Sequence, residues 1–265
     1  MEAGLRPSLD PHSSNPCQRG DVACLDAVLA EMHRRDAAES ASCDHAALFT
    51  RMYLRTTEAL RSAVLAHRFR NGPAIVHFAA WFARYHFRAE DGWTARRLGE
   101  VPGAWQVAYE AESARRVRSM GDLLLGMNAH ISRDLAFTVA EVEHGRRTAV
   151  DPDFKLFTDV IESKSVPVIA ELARRFDPAL AFATVPLTLG GTRTVGQLIG
   201  VWRTEAWQNG IALRDARGAA RAAVAQRIEN VARLRADAIV AATAYLPVVQ
   251  SSSSRDAYCR AHRGS

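Results

Sequence analysis

The chain has 265 residues, 34 of them basic and 29 acidic, giving a formal charge of +5 and a pI near 9.3. Only Lys155 and Lys164 are lysines, so 32 of the basic residues are arginines, and alanine fills 47 positions. With 48% apolar residues the chain can bury a substantial core, which excludes a wholly disordered or collagen-like protein.

The length suits one large domain or two small ones. The longest stretch without Asp, Glu, Lys or Arg is the 17 residues between Asp237 and Arg255. It contains Pro247 and the serines Ser251 to Ser254, so no membrane span is expected. Arginines are spread along the chain and interleaved with acids. Arg115, Arg116 and Arg118, and the run from Arg214 to Arg235, read as solvated helix faces, and no aromatic-plus-basic platform accompanies them. No nucleic-acid partner is expected. The first residues, MEAGLRPSLDPHSSNPC, hold no apolar core of the signal-peptide kind, so a cytoplasmic protein is the expectation. Cys17, Cys24, Cys43 and Cys259 form no CxxC pair and no zinc spacing, and are read as reduced, structural or incidental thiols.

In chain order, residues 1–20 are rich in Pro, Ser and Gly and are expected to be a poorly ordered arm, and 250–265 a similar tail. Residues 21–249 read as helical. Val22, Leu25, Leu29 and Met32 recur at three- and four-residue steps, as do Leu48, Met52 and Leu60 to Val64. Pro73 suits a first helical position, and the helix it opens carries Ala74, Phe78, Phe82, Tyr85 and Ala89 on one stripe and ends near Asp91-Gly92. Pro102-Gly103 opens a run through Trp105 and Tyr109. Two long segments lack proline, Ser113 to His144 and Asp215 to Tyr245. The second places Val224, Ile228, Val231, Leu234, Ala238 and Ala242 at helical steps. Only 184–195 lacks helical character, and a loop or short hairpin around Gly190-Gly191 is expected there. These elements predict one all-α, multi-helix bundle around a buried central helix.

The central helix is the stretch LLLGMNAHISRDLAFTVA, Leu123 to Ala140. On an ideal α-helix Leu123, Met127, His130, Asp134 and Phe137 fall within about 80° of one another. Asn128 lies on a second apolar stripe with Leu124, Ile131 and Leu135. Because a buried carboxylate needs a partner, Asp134 is expected to hydrogen-bond His130 one turn away. Such a pair can serve as an oriented general base, as two metal ligands short of a full set, or as a network that fixes helix register. His144, about 21 Å along the same helix, cannot join it.

Asp151, Pro152 and Asp153 read as the start of the next helix. If that helix is an antiparallel neighbour, Lys164 points toward Asp134, while Asp153 lies about three turns from His130. His77, Trp81 and Tyr85 form a stripe that suits either core packing or a pocket wall. No phosphate loop, nucleophile elbow or HExxH pattern occurs, and the distributed His and Glu ligands of ferritin-like sites are lacking, so no metal or cofactor is expected.

The segment GMNAHISRDLAF resembles the bacterial helical family catalogued as domain of unknown function 5995, whose members carry Asn-Ala-His-Ile-Asn-x-Asp-Leu. Asn128, Ala129, His130, Ile131, Asp134 and Leu135 match that signature, and Ser132 stands where the family usually has Asn. Weaker echoes lie at Phe82 to Tyr85, Pro102 to Trp105 and Asp153-Phe154. The resemblance covers about 45–240. It implies an all-helical, mostly actinobacterial protein, and it carries no established reaction.

Together these readings predict an enzyme acting on a small, largely apolar molecule, in a cyclisation, isomerisation or elimination step of bacterial secondary metabolism. His130 and Asp134 are the candidate catalytic pair, with Asn128, Lys164 and Asp153 in support. Trp81, Tyr85, Met127 and Phe137 are the candidate pocket wall. A non-catalytic helical binding or interaction protein is the alternative, and a metal-dependent hydrolase the third.

Overall fold

The computed structural model describes residues 5–142, 152–182, 185–186, 192–245 and 251–262. A short helix α1 (Pro16–Arg19) starts where the Asn15 side chain accepts from the Cys17 N–H, and α2 (Val22–Ser42) where Asp21 accepts from Ala23. These caps satisfy N–H groups that the first helical turn leaves without partners. Next come α3 (Ala47–Leu65) and α4 (Gly72–Thr94), the latter capped by Asn71 with Pro73 in its first turn. Helix α5 (Gly103–Ser113) leads to α6 (Ser119–Met127), which continues through a π-helical segment, Asn128–Asp134, into α7 (Leu135–Glu141). The remaining helices are α8 (Pro152–Arg175), α9 (Val195–Asp215), α10 (Gly218–Thr243) and α11 (Ser252–His262). Thr194 and Gln197 form a reciprocal capping box at the start of α9. Val185–Pro186 pairs antiparallel with Thr192–Arg193, so the non-helical stretch is a short hairpin, with Gly190-Gly191 outside the described residues.

The architecture is the expected all-α bundle. Its axis is the continuous α6–π–α7 helix, which is buried along most of its length and is surrounded by α3, α4, α5, α9 and α10. The antiparallel pairing expected of α8 is not the one found. Helix α8 packs on α3 and α9, and it is α9 that lies along α7. Gly210 explains the choice. A Cβ there would sit 2.5 Å from the Val139 Cβ and 2.6 Å from the Ala136 carbonyl oxygen, so only glycine lets the two helices come so close. Lys164 is consequently exposed, not beside Asp134: α8 turns Phe157, Val160, Val168 and Leu172 inward and leaves Lys164 on the opposite face.

The described segments near both ends, 5–20 and 251–262, are tied to the bundle. Leu5 and Cys17 are buried, and a disulfide joins Cys17 to Cys24 across the α1–α2 turn. A second disulfide joins Cys43 to Cys259, 216 residues apart, and holds α11 against the α2–α3 junction. The four cysteines are therefore not the reduced thiols that their spacing suggested. Pairs seven and 216 residues apart meet because the fold brings their Cα atoms within 4.7 and 6.0 Å, which spacing alone does not reveal. Beside the second bridge, Arg255 donates to the Cys43 carbonyl, and His45 lies between the carboxylates of Asp122 (2.7 Å) and Asp256 (3.3 Å). Among the described residues, no helix is long and apolar enough to cross a membrane.

Candidate functional site

The π-helical segment carries the sequence motif. Its wider turn is visible in the Leu135 N–H, which bonds to the His130 carbonyl five residues back. Such segments are rare, and they recur at functional sites because they re-aim side chains that an α-helix would stack differently. Here Asn128 turns to α10, donating from Nδ2 to the Ala232 carbonyl at 2.7 Å, and so fixes the helix pair. His130 turns the other way, into the space between α3, α4, α8 and α9.

His130 and Asp134 are joined as the sequence suggested. His130 Nδ1 lies 3.2 Å from Asp134 Oδ2, with both residues buried. The carboxylate is held by two further donors, Trp105 Nε1 at 2.9 Å and Arg133 Nη1 at 3.0 Å. Arg133 in turn reaches Glu229 and lies over the rings of Tyr85 and Phe137. Asp134 is thus compensated by a neighbouring cation, which a buried carboxylate requires.

Burial lowers the pKa of His130 more than the Asp134 contact raises it, so the imidazole is neutral at neutral pH. A carboxylate can only accept, so Nδ1 carries the proton and Nε2 holds the lone pair. Nε2 is buried with no hydrogen-bond partner. The ring is locked by stacking on Phe82, with centroids 3.6 Å apart and planes 9° from parallel, and Tyr53 packs beside it at 4.4 Å.

His130 belongs to the wall of an almost wholly apolar cavity of about 40 Å³. Phe49, Met52, Tyr53 and Leu60 of α3, Ala79 and Phe82 of α4, Phe157 and Ile161 of α8, and Ile199 of α9 line it with Met127, His130 and Ile131. Gly126 sets the depth of Phe49, since a Cβ at 126 would lie 2.6 Å from the Phe49 Cβ.

The wall also contains Arg203 of α9, which the sequence reading did not pick out. Arg203 is 1% exposed. Its Nε donates to Thr158 Oγ1 at 2.9 Å, and its guanidinium lies 4.8 and 4.6 Å from the rings of Phe154 and Phe157. Burial pulls its pKa down to about 9, which leaves it protonated at neutral pH. The signal for it was present in α9, where Ile199, Trp202, Arg203, Ala206, Trp207 and Gly210 form a buried face holding one charge.

Of the expected pocket wall, only Met127 lines the cavity. Trp81 instead donates Nε1 to the Arg6 carbonyl together with His77, covering the N-terminal segment. Tyr85 and Phe137 meet each other around Arg133. Asp153 is buried at the start of α8 and accepts from the Arg70 and Asn71 N–H groups at 2.9 and 2.8 Å, a clamp on the α3–α4 loop. It has no place at the cavity, and neither has Lys164. His144 and Asp151 lie outside the described residues. Among the described residues no group of three His, Cys, Asp or Glu side chains is placed to hold a metal ion.

Comparison with known proteins gives a family match. Residues 25–242 match the family described as "Family of unknown function (DUF5995)". No curated protein and no solved structure matches the chain. The family match spans the central helix, every wall of the cavity and the site pair, and on that match the chain belongs to the DUF5995 family.

Proposed function

We propose that the protein is an enzyme that binds a small, largely apolar molecule beside His130 and moves a proton on it, with His130 as general base and Asp134 as its positioning partner. The observation that carries this reading is that His130, a residue of the wall of an apolar cavity, keeps a buried Nε2 lone pair without a partner. A buried unsatisfied nitrogen costs about 1–3 kcal/mol, and every other feature of the dyad is arranged to keep it in place. Asp134 fixes the tautomer, Phe82 the ring plane, and the π turn the direction of the side chain. A neutral, oriented imidazole in a dry site takes a proton from carbon or oxygen and returns it elsewhere. That chemistry suits isomerisation, cyclisation or elimination. The two disulfides further support an oxidising compartment as the place of work.

A second reading is a helical binding protein, favoured by the small cavity. At about 40 Å³ it holds two or three water-sized spheres, so a larger guest must displace side chains. The test is incubation of the protein with a pooled small-molecule extract, followed by mass spectrometry. The expected result is a set of compounds consumed by the native protein and untouched by His130→Gln. Identical consumption by both proteins, or none by either, sinks the catalytic reading.

A further inference from the structure

Two residues of the cavity wall each carry a buried polar atom without a hydrogen-bond partner, His130 at Nε2 and Arg203 at Nη2. The other polar side chains there include Thr56 and Thr57, whose hydroxyls donate to backbone carbonyls of their own helix. Arg203 differs from the other deeply buried arginines. Arg35 pairs with Glu31, Glu90 and Asp91, Arg51 with Asp36 and Glu171, and Arg255 with Asp256. Among the described residues no carboxylate lies within 4.0 Å of Arg203, and Tyr53, a phenol that is neutral at neutral pH, and then Glu162 act on it only through their fields. Two aromatic rings soften the burial of the guanidinium, as cation–π contacts do, but they leave its positive charge uncompensated. A buried cation of this kind is expensive in a folded protein, and buried charges are normally paired.

We infer that Arg203 is the receptor for an anionic group of the ligand, so that the site takes a small carboxylic acid: its carboxylate on Arg203 and its apolar body against Phe49, Tyr53, Phe82 and Ile199. The inference rests on the reading of His130 as the reacting base, and it names the substrate class of that same site. A planar guanidinium matches a carboxylate with parallel N–H···O bonds. The cavity, with room for two or three waters, takes the carboxylate group itself, and the carbons attached to it displace the apolar side chains of the wall. With the acid end fixed at Arg203, the carbons of the ligand lie along the apolar wall that also carries His130 Nε2.

The test uses the native protein, Arg203→Met and His130→Gln with acetate, propionate, butyrate and benzoate, each against its uncharged amide. Binding is read by titration calorimetry and by ligand-observed NMR. The acids are expected to bind the native protein at least tenfold more tightly than the amides. Arg203→Met is expected to lose that preference while melting no lower than the native protein, since an apolar side chain replaces an uncompensated charge. His130→Gln is expected to keep it. Amides that bind as well as acids, acids that bind Arg203→Met unchanged, or no binding of either class each overturn the inference. The catalytic reading falls separately, if His130→Gln consumes the same compounds as the native protein while acid binding still depends on Arg203.

Discussion

Replacing His130 by Phe separates a residue kept for chemistry from one kept for packing. The substitution removes the Nδ1–H bond to Asp134, worth about 1.5–3 kcal/mol for a charged acceptor. It also removes the buried Nε2 that has no partner, whose presence costs about 1–3 kcal/mol. A phenyl ring keeps the stack on Phe82, and Asp134 keeps both Trp105 and Arg133. Gain and loss therefore cancel to within about 1 kcal/mol, a shift in Tm of no more than roughly 4 °C for a chain of this size. Asp134→Asn behaves differently. It leaves Arg133 with Glu229 alone as a carboxylate partner and turns an amide NH2 toward a donor, either Arg133 or the His130 and Trp105 pair. A buried donor left without an acceptor costs about 1–3 kcal/mol, and the lost charged acceptor about 1.5–3 kcal/mol more. Calorimetry and urea unfolding of the two variants check the contrast. A His130→Phe protein destabilised as much as Asp134→Asn would refute the reasoning, because His130 would then be part of what holds the bundle together.

Two further predictions concern the α11 attachment. Replacing Cys43 and Cys259 together by Ser opens a loop of 216 residues, for which the chain-entropy estimate is about 5 kcal/mol. Hydrogen exchange should show 252–262 losing protection first, and unchanged protection there would mean that Arg255 and His45 hold the helix unaided. The second is a pH dependence. Burial raises the pKa of Asp122 from 3.8 to about 6, against the opposing hydrogen bond from His45. The native state thus holds the proton more tightly than the unfolded chain, so the Asp122 contribution to stability is present below about pH 4 and is lost as pH rises through 6. The difference in Tm between the native protein and Asp122→Asn should therefore fall across that window, and a difference that is flat or rising would show that Asp122 is not the group responsible.

Much of the fold was legible because helix periodicity, caps and the positions of proline act locally. Pro73 and Pro102-Gly103, and the Pro-free runs through α6–α7 and α10, mark elements from sequence alone. The His130–Asp134 pair was legible for a similar reason, since a lone carboxylate in an apolar helix must find a partner nearby. What failed were inferences about which elements meet. The partner of the central helix is chosen by a glycine on α9, Gly210, and not by the sequence order that pointed to α8 and Lys164. Helix α4 is buried around most of its circumference, so periodicity did not say which stripe faces the cavity. It is Ala79 and Phe82, and not Trp81 and Tyr85. The disulfides escaped because pairing across 216 residues is a property of the completed fold.

The π segment explains the remaining error and ties the site to the motif. Projecting Leu123 to Ala140 as an ideal α-helix placed Met127, His130 and Phe137 on one face. That projection holds up to the motif, and Met127 does line the cavity. Through Asn128–Asp134 each wider turn takes more residues, so the residues after it fall behind their α-helical positions. Phe137 has accordingly moved off the cavity face and onto Arg133 and Tyr85. Asn128 and His130, two residues and so about 200° apart on a helix, take opposite tasks, the one at the Ala232 carbonyl and the other at the cavity. The motif therefore does more than supply a His–Asp pair. It bends the helical register beside a cavity whose wall holds a buried imidazole and, on α9, an arginine that among the described residues has no carboxylate partner within 4.0 Å.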